Sequence, residues 1–188
     1  MLDVDDLVLA ALQASGGVIS GRTRLQKLIF FASQVLKVDA GYRPHYYGPY
    51  SAEVAATVDG QVSRRVLQEV REVFGSGAPQ FPGHDGALRR YTYVLTPDGR
   101  EALEWHRKQH AEDLQRAVAL MKQLAESAAD WKVLCYAAKL YHVLVSEGKP
   151  LTDAAARDRA QALGWEMSPA ELSQGVELLK QVGLVTDA

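Results

Sequence analysis

GRTRLQKLIFFASQVLKVDAGYRPHYYGPYS, residues 21–51, is the stretch from which the rest of this chain is read. Leu25, Leu28, Ile29, Ala32 and Leu36 recur at helical period, so a helix follows Gly21 with one apolar stripe. Lys27 and Gln34 fall on the opposite, polar side of that helix. Phe30 breaks the pattern, lying about 140° around the helix from Leu25; either it stands exposed for a partner, or the following loop or another domain covers it. Residues 37–50 make a longer connection than the tight turn of a simple helix-turn-helix. Gly48-Pro49 marks a turn, and Ser51 is an N-cap for a third helix running to about Val62, with Val54, Val58 and Val62 as its buried stripe.

Working outward, Val4 to Gln13 reads as a first helix, with Asp5 and Asp6 complementing its dipole and Gly16-Gly17 ending it. Val66–Phe74 and Leu88–Thr96 are rich in β-branched and aromatic residues and flank the Gly/Pro loop GSGAPQFPGHDG. Three helices and then a hairpin is the winged-helix order. Thr96-Pro97 caps a long helical stretch from Gly99 to Ser127, either a spine between halves or a dimer-forming arm, which leaves a homodimer open. Helices follow over Ala128–Glu147, Thr152–Leu163 and Pro169–Val182, the last opened by the capping box Ser168-Pro169-Ala170-Glu171. The expected fold is mainly α with a small β-hairpin: a winged-helix-like unit over residues 1–98, a connecting helix over 99–128 and a helical C-terminal unit over 129–188.

A net charge of -2 does not suit bulk electrostatic binding of nucleic acid. Basic residues are nevertheless concentrated near the front, where Arg22, Arg24, Lys27, Lys37, Arg43, Arg64 and Arg65 face only Asp39, Glu53 and Asp59 over residues 20–65. The single cysteine, Cys135, excludes an intramolecular disulfide and a Cys-rich zinc site. Asp3, Asp5 and Asp6 after Met1 are unlike the basic start of a signal peptide, and the short apolar run Leu28–Ala32 cannot span a bilayer. The expectation is a cytoplasmic protein without a membrane segment.

Two motifs together resemble the SocA-like antitoxin group, also called the Panacea domain, and its YwgA-like branch. They are Gly21-Arg22 with Leu25-Gln26-Lys27-Leu28-Ile29, then Tyr46-Tyr47-Gly48-Pro49-Tyr50-Ser51. The hairpin end Tyr93-Val94-Leu95-Thr96 with Gly99 and a C-terminal helix ending Leu178-Leu179 to Gly183-Leu184-Val185 support them. The resemblance implies a winged-helix-like fold in proteins tied to toxin–antitoxin or defence loci, whose founding type acts as an antitoxin and protease adaptor. This chain has Arg65 before Val66-Leu67 where many members carry glycine.

Two kinds of binding follow as expectations. For a protein partner, a toxin or other defence protein, the surface would be Tyr46, Tyr47, Tyr50, Arg43 and Arg24, since Tyr and Arg dominate interface hot spots. For DNA it would be Arg22, Arg24, Lys27, Arg64, Arg65, Arg89 and Arg90. The third helix, placed to read bases, offers Glu53 and Asp59 and no basic residue, and carboxylates repel phosphates. Catalysis has little to rest on. His106 and His110 are four apart, but Arg107, Lys108 and Gln109 lie between them and no general-base glutamate does, so they read as histidines on a wet helix. Cys135 sits on an apolar helical stripe as a small hydrophobe. No P-loop, dinucleotide fingerprint or nucleophile elbow is present, so neither an enzyme nor a cofactor is expected.

Overall fold

The computed structural model describes residues 2–76, 87–128 and 130–186. The chain is mainly α with a small antiparallel sheet. The elements run α1 (Val4–Ala14), β1 (Val18–Ser20), α2 (Arg22–Leu36), α3 (Ala52–Ser63), β2 (Leu67–Ser76), β3 (Ala87–Leu95), α4 (Pro97–Gln109), α5 (Ala111–Ser127), α6 (Trp131–Glu147), α7 (Asp153–Ala162) and α8 (Pro169–Gln181). The predicted helices and hairpin stand within a few residues of their expected ends. The tip of the expected hairpin loop, residues 77–86, lies outside the described residues.

Caps explain the boundaries. Asp3 and Asp6 form a reciprocal capping box at α1, and Ser168 with Glu171 forms another at α8. Ser51, Thr96 and Thr152 each accept a backbone N–H at the start of α3, α4 and α7. At the end of α3, Val66 N–H reaches Gln61 O and Arg65 N–H reaches Val62 O. Arg65 takes φ 62°, the left-handed position that favours glycine in this type of C-cap. Arginine occupies this position at a conformational cost.

The sheet order is β1-β3-β2, all antiparallel, with Ile19 opposite Tyr93 and Leu67 opposite Leu95. Those four residues face inward, each at most 5% exposed. β1 has only three residues, too few for an alternation to register in the sequence. Two further differences concern helices. The stretch after Thr96 is not one continuous rod: it breaks at His110, which is both the end of α4 and the N-cap of α5. The apolar stripe of α5, Leu114, Ala117, Met121 and Leu124, is spent inside the chain against α1 and α2.

α2 is the centre of the molecule. Every residue from Leu25 to Ser33 is buried, so the helix has no solvent face along those residues, contrary to the single-stripe expectation. α1 and α5 pack on it, and α6 closes another side. Phe30 is covered rather than exposed, and from two directions: the Tyr42 ring stands 5.2 Å away edge-on, and Tyr141 and His142 approach from α6. One continuous core therefore runs from α1 through α8.

Candidate functional site

The two segments of the quoted stretch meet in space. Gln26 turns its amide to the backbone of Ser51, donating to Ser51 O at 2.8 Å and accepting from Ser51 N at 3.0 Å. Its own carbonyl accepts from the Tyr42 hydroxyl at 2.7 Å. Lys27 donates from Nζ to Pro49 O at 2.7 Å. Ser51 Oγ donates to Ala40 O and accepts from Val54 N. The long connection is thereby pinned to a buried helix face at both of its ends, which satisfies backbone groups that would otherwise be stranded.

Above these anchors, residues 43–50 fold into a small hairpin. Arg43 and Tyr50 exchange both backbone hydrogen bonds at 2.9 Å, and Gly48 N reaches His45 O at 2.9 Å. Gly48 takes φ 99°, and a methyl group there would press to 3.1 Å on Lys139 Cγ. The left-handed φ favours glycine, and the lysine would have to shift to admit a side chain. From the opposite end of the chain, the Trp165 indole, 1% exposed, donates Nε1–H to His45 O at 2.7 Å. The hairpin is thus mounted on α2 below and on Trp165 beside it.

This mounting projects aromatic rings outward. Tyr46 is 74% exposed, Tyr47 50% and Trp131, at the start of α6, 43%. Tyr46 and Tyr47 meet edge to face at 4.8 Å, and Tyr47 meets Trp131 at 6.1 Å. Tyr50 lies apart from them, against His45 at 5.1 Å. Between the turn and α6 runs a groove of about 620 Å³ lined by Tyr46, Tyr47, Trp131, Lys132, Tyr136 and Lys139. Cys135 forms part of its wall, is 4% exposed as expected of a small core residue, and has its thiol pushed up by burial.

Of the residues expected to touch a protein, Tyr46 and Tyr47 are brought together. Arg43 is exposed and donates to Tyr42 O. Arg24 lies elsewhere, donating at 3.3 Å to Ala125 O in the last turn of α5. The basic residues expected at DNA are scattered by their own partners. Lys27 is 2% exposed and cannot reach a phosphate from beneath the hairpin, a correction to its expected place on a polar helix side. Arg22 donates to Tyr93 and Glu69 and lies 3.6 Å over the Tyr91 ring. Burial would raise the Glu69 carboxyl, but hydrogen bonds from Arg22, Tyr93 and Arg71 outweigh it and hold Glu69 low. Arg64 pairs with Asp5 at 2.7 Å. Arg65 is exposed at the end of α3, and Arg89 and Arg90 stand on β3.

His106 is also displaced from the wet face expected for it. Its Nδ1 lies 2.5 Å from Oδ1 of the buried Asp6, tying α4 to α1. Among the described residues no cluster of His, Cys, Asp and Glu has the makings of a metal site. No helix among them is long and apolar enough to cross a membrane. Sequence reasoning missed Gln26, Trp131, Lys139 and Trp165 as parts of this site. Their roles arise from contacts between 25 and 120 residues apart, for which the local pattern carries no signal.

Comparison with known proteins adds a partial relationship. No family model matches the chain. The chain is 30% identical over 92 residues to the uncharacterized protein YwgA of Bacillus subtilis (strain 168). That match covers 48% of this chain and about half, 49%, of the relative. Over that half, the chain is YwgA-like.

Proposed function

We propose that this chain is a non-catalytic regulatory binding protein, in the manner of an antitoxin or adaptor, and that its contact surface is the aromatic hairpin with Trp131. The observation that carries this is the pairing of exposed rings with a rigid mount. Tyr46, Tyr47 and Trp131 present apolar area to solvent, while Gln26, Lys27 and Trp165 hold the backbone beneath them. Rings already fixed in place lose little entropy on binding, which is what makes Tyr and Trp effective anchors.

A winged-helix regulator of DNA is the second reading, supported by the order α1-β1-α2-α3-β2-β3 and the sheet order β1-β3-β2. It is the weaker one. The helix that would enter the groove exposes Glu53 and Asp59, and Lys27, Arg22 and Arg64 are committed within the protein.

The test is co-purification of the full chain from its native host. A protein should co-purify in stoichiometric amount and be lost on combined Tyr46→Ala and Tyr47→Ala, with the circular dichroism spectrum unchanged. Loss of two central anchors is expected to weaken binding by about 2 kcal/mol or more. A partner retained by this variant would refute the assignment of the surface. Retardation of the chain's own upstream DNA, steeply dependent on salt and weakened by Arg64→Ala with Arg65→Ala, would instead favour the DNA reading.

A further inference from the structure

The groove beside the aromatic hairpin is charged as well as aromatic. Lys132 and Lys139 stand two turns apart on α6 and both line it, against the single carboxylate of Glu166. A third lysine lies directly behind the wall: a methyl group on Gly48 would come within 3.1 Å of Lys139 Cγ and 3.5 Å of Lys27 Cε, so both side chains converge on that glycine. Glu171 accepts from the Ser168 backbone at 2.8 Å and from the Tyr136 hydroxyl, and its charge partly offsets the effect of burial on Lys139. Burial lowers Lys27 to about 8, and the neighbouring Lys139 adds to that shift; burial lowers Lys139 as well. Along the lining itself two ammonium groups face the one carboxylate of Glu166, and Glu171 acts on Lys139 from beside it.

We propose that this groove receives an acidic segment of a partner protein, with an aromatic or aliphatic side chain against Tyr46, Tyr47 and Trp131 and adjacent carboxylates on Lys132 and Lys139. This rests on the reading of the hairpin as a protein-binding surface and names the chemistry of what binds there. The ring cluster supplies a desolvated anchor, and the lysines supply orientation and rate of encounter. A polynucleotide fits the same place poorly. Its backbone needs a continuing track of cations, whereas the remaining lining is Tyr136, Gln161, Gly164 and Glu166 beside Cys135.

The experiment pans a phage library of random short peptides against the full chain at low salt, then titrates synthetic copies of the enriched sequences calorimetrically. Enriched peptides should carry Asp or Glu around a Phe, Trp or Leu. Their affinity should fall with added salt, and by about tenfold in Lys132→Glu and in Lys139→Gln. Lys132 is exposed, so its variant retains the fold, and a thermal melt checks the half-buried Lys139. Peptides without acidic bias, or indifferent to both lysine variants, overturn the inference. If such peptides are still lost on Tyr46→Ala with Tyr47→Ala, the hairpin remains a protein-binding surface and only the acidic occupant is wrong. Failure to enrich any peptide overturns both. Displacement of the peptides by oligodeoxythymidylate at lower concentration than by free peptide assigns the groove to nucleic acid and overturns the inference.

Discussion

An ammonium on Lys27, 2% exposed and donating to Pro49 O, has given up most of its hydration for a bond to one carbonyl. Burial therefore lowers its pKa from the ordinary 10.5 to about 8. Below pH 8 both folded and unfolded chains hold the proton, and the folded state bears the whole penalty. Between 8 and 10.5 the unfolded chain binds more protons, so stability climbs with pH, by about 3 kcal/mol in total for this group. Cys135, Tyr42 and Tyr93 act in the opposite sense. Burial raises all three, Tyr93 to about 12, so they ionise first in the unfolded chain and subtract stability above pH 9 to 10. The informative quantity is the difference between the wild type and Lys27→Met, which keeps the volume and drops the charge. Urea unfolding at a series of pH values from 7 to 10 should show the wild type gaining on the variant above pH 8; parallel profiles would contradict the assignment. The sequence placed Lys27 on a polar helix side because periodicity assumes one buried face. It gave no sign that α2 is surrounded, and a surrounded helix must find internal partners for every polar residue it carries.

Contacts between whole elements rest on small residues at crossing points. At Gly175 of α8 an added methyl group would come within 2.8 Å of Leu140 Cδ1 and 3.0 Å of the Tyr136 carbonyl carbon on α6. Gly175→Ala should therefore push α8 off α6 and cost about 2 kcal/mol, read as a lower urea midpoint at unchanged slope. Gly60 of α3 is the internal control. A methyl there meets nothing within 4 Å, so Gly60→Ala should stabilise by about 0.5–1 kcal/mol through helix propensity alone. If both substitutions proved equally costly, close packing would not be the cause. At this scale the sequence was largely legible, because caps and periodicity are local. Ser51, Thr96, Thr152 and Ser168 each begin a helix where expected. The exceptions have physical reasons. β1 is too short to show a period, and the break at His110 falls between two helical patterns with no proline or glycine to announce it.

Across the whole molecule, the exposed hairpin near the front depends on a residue from the far end. Trp165 donates to His45 O, and its ring also meets His142 at 5.6 Å, which in turn meets Phe30 of α2. Trp165→Phe keeps an aromatic plug and removes the donor, so it should cost about 1 kcal/mol globally. Locally it should loosen the turn, seen as faster amide hydrogen exchange at Gly48 and Tyr50 with little change in α1. Unchanged exchange at those two amides would show that α2 alone holds the hairpin. No sequence pattern links His45 to Trp165. The candidate site was therefore half visible: its rings could be read from composition, and its supports could not.

The 120-residue separation of Trp165 from His45 also orders events in time. A ribosome that has made the hairpin must still synthesise the segment bearing Trp165, a delay on the order of ten seconds at ordinary elongation rates. During that interval the rings of Tyr46 and Tyr47 exist on a nascent chain that lacks one of their two mounts. The final arrangement of these rings is then acquired only once Trp165 has been made, and a nascent chain short of that residue carries the aromatic side chains without it.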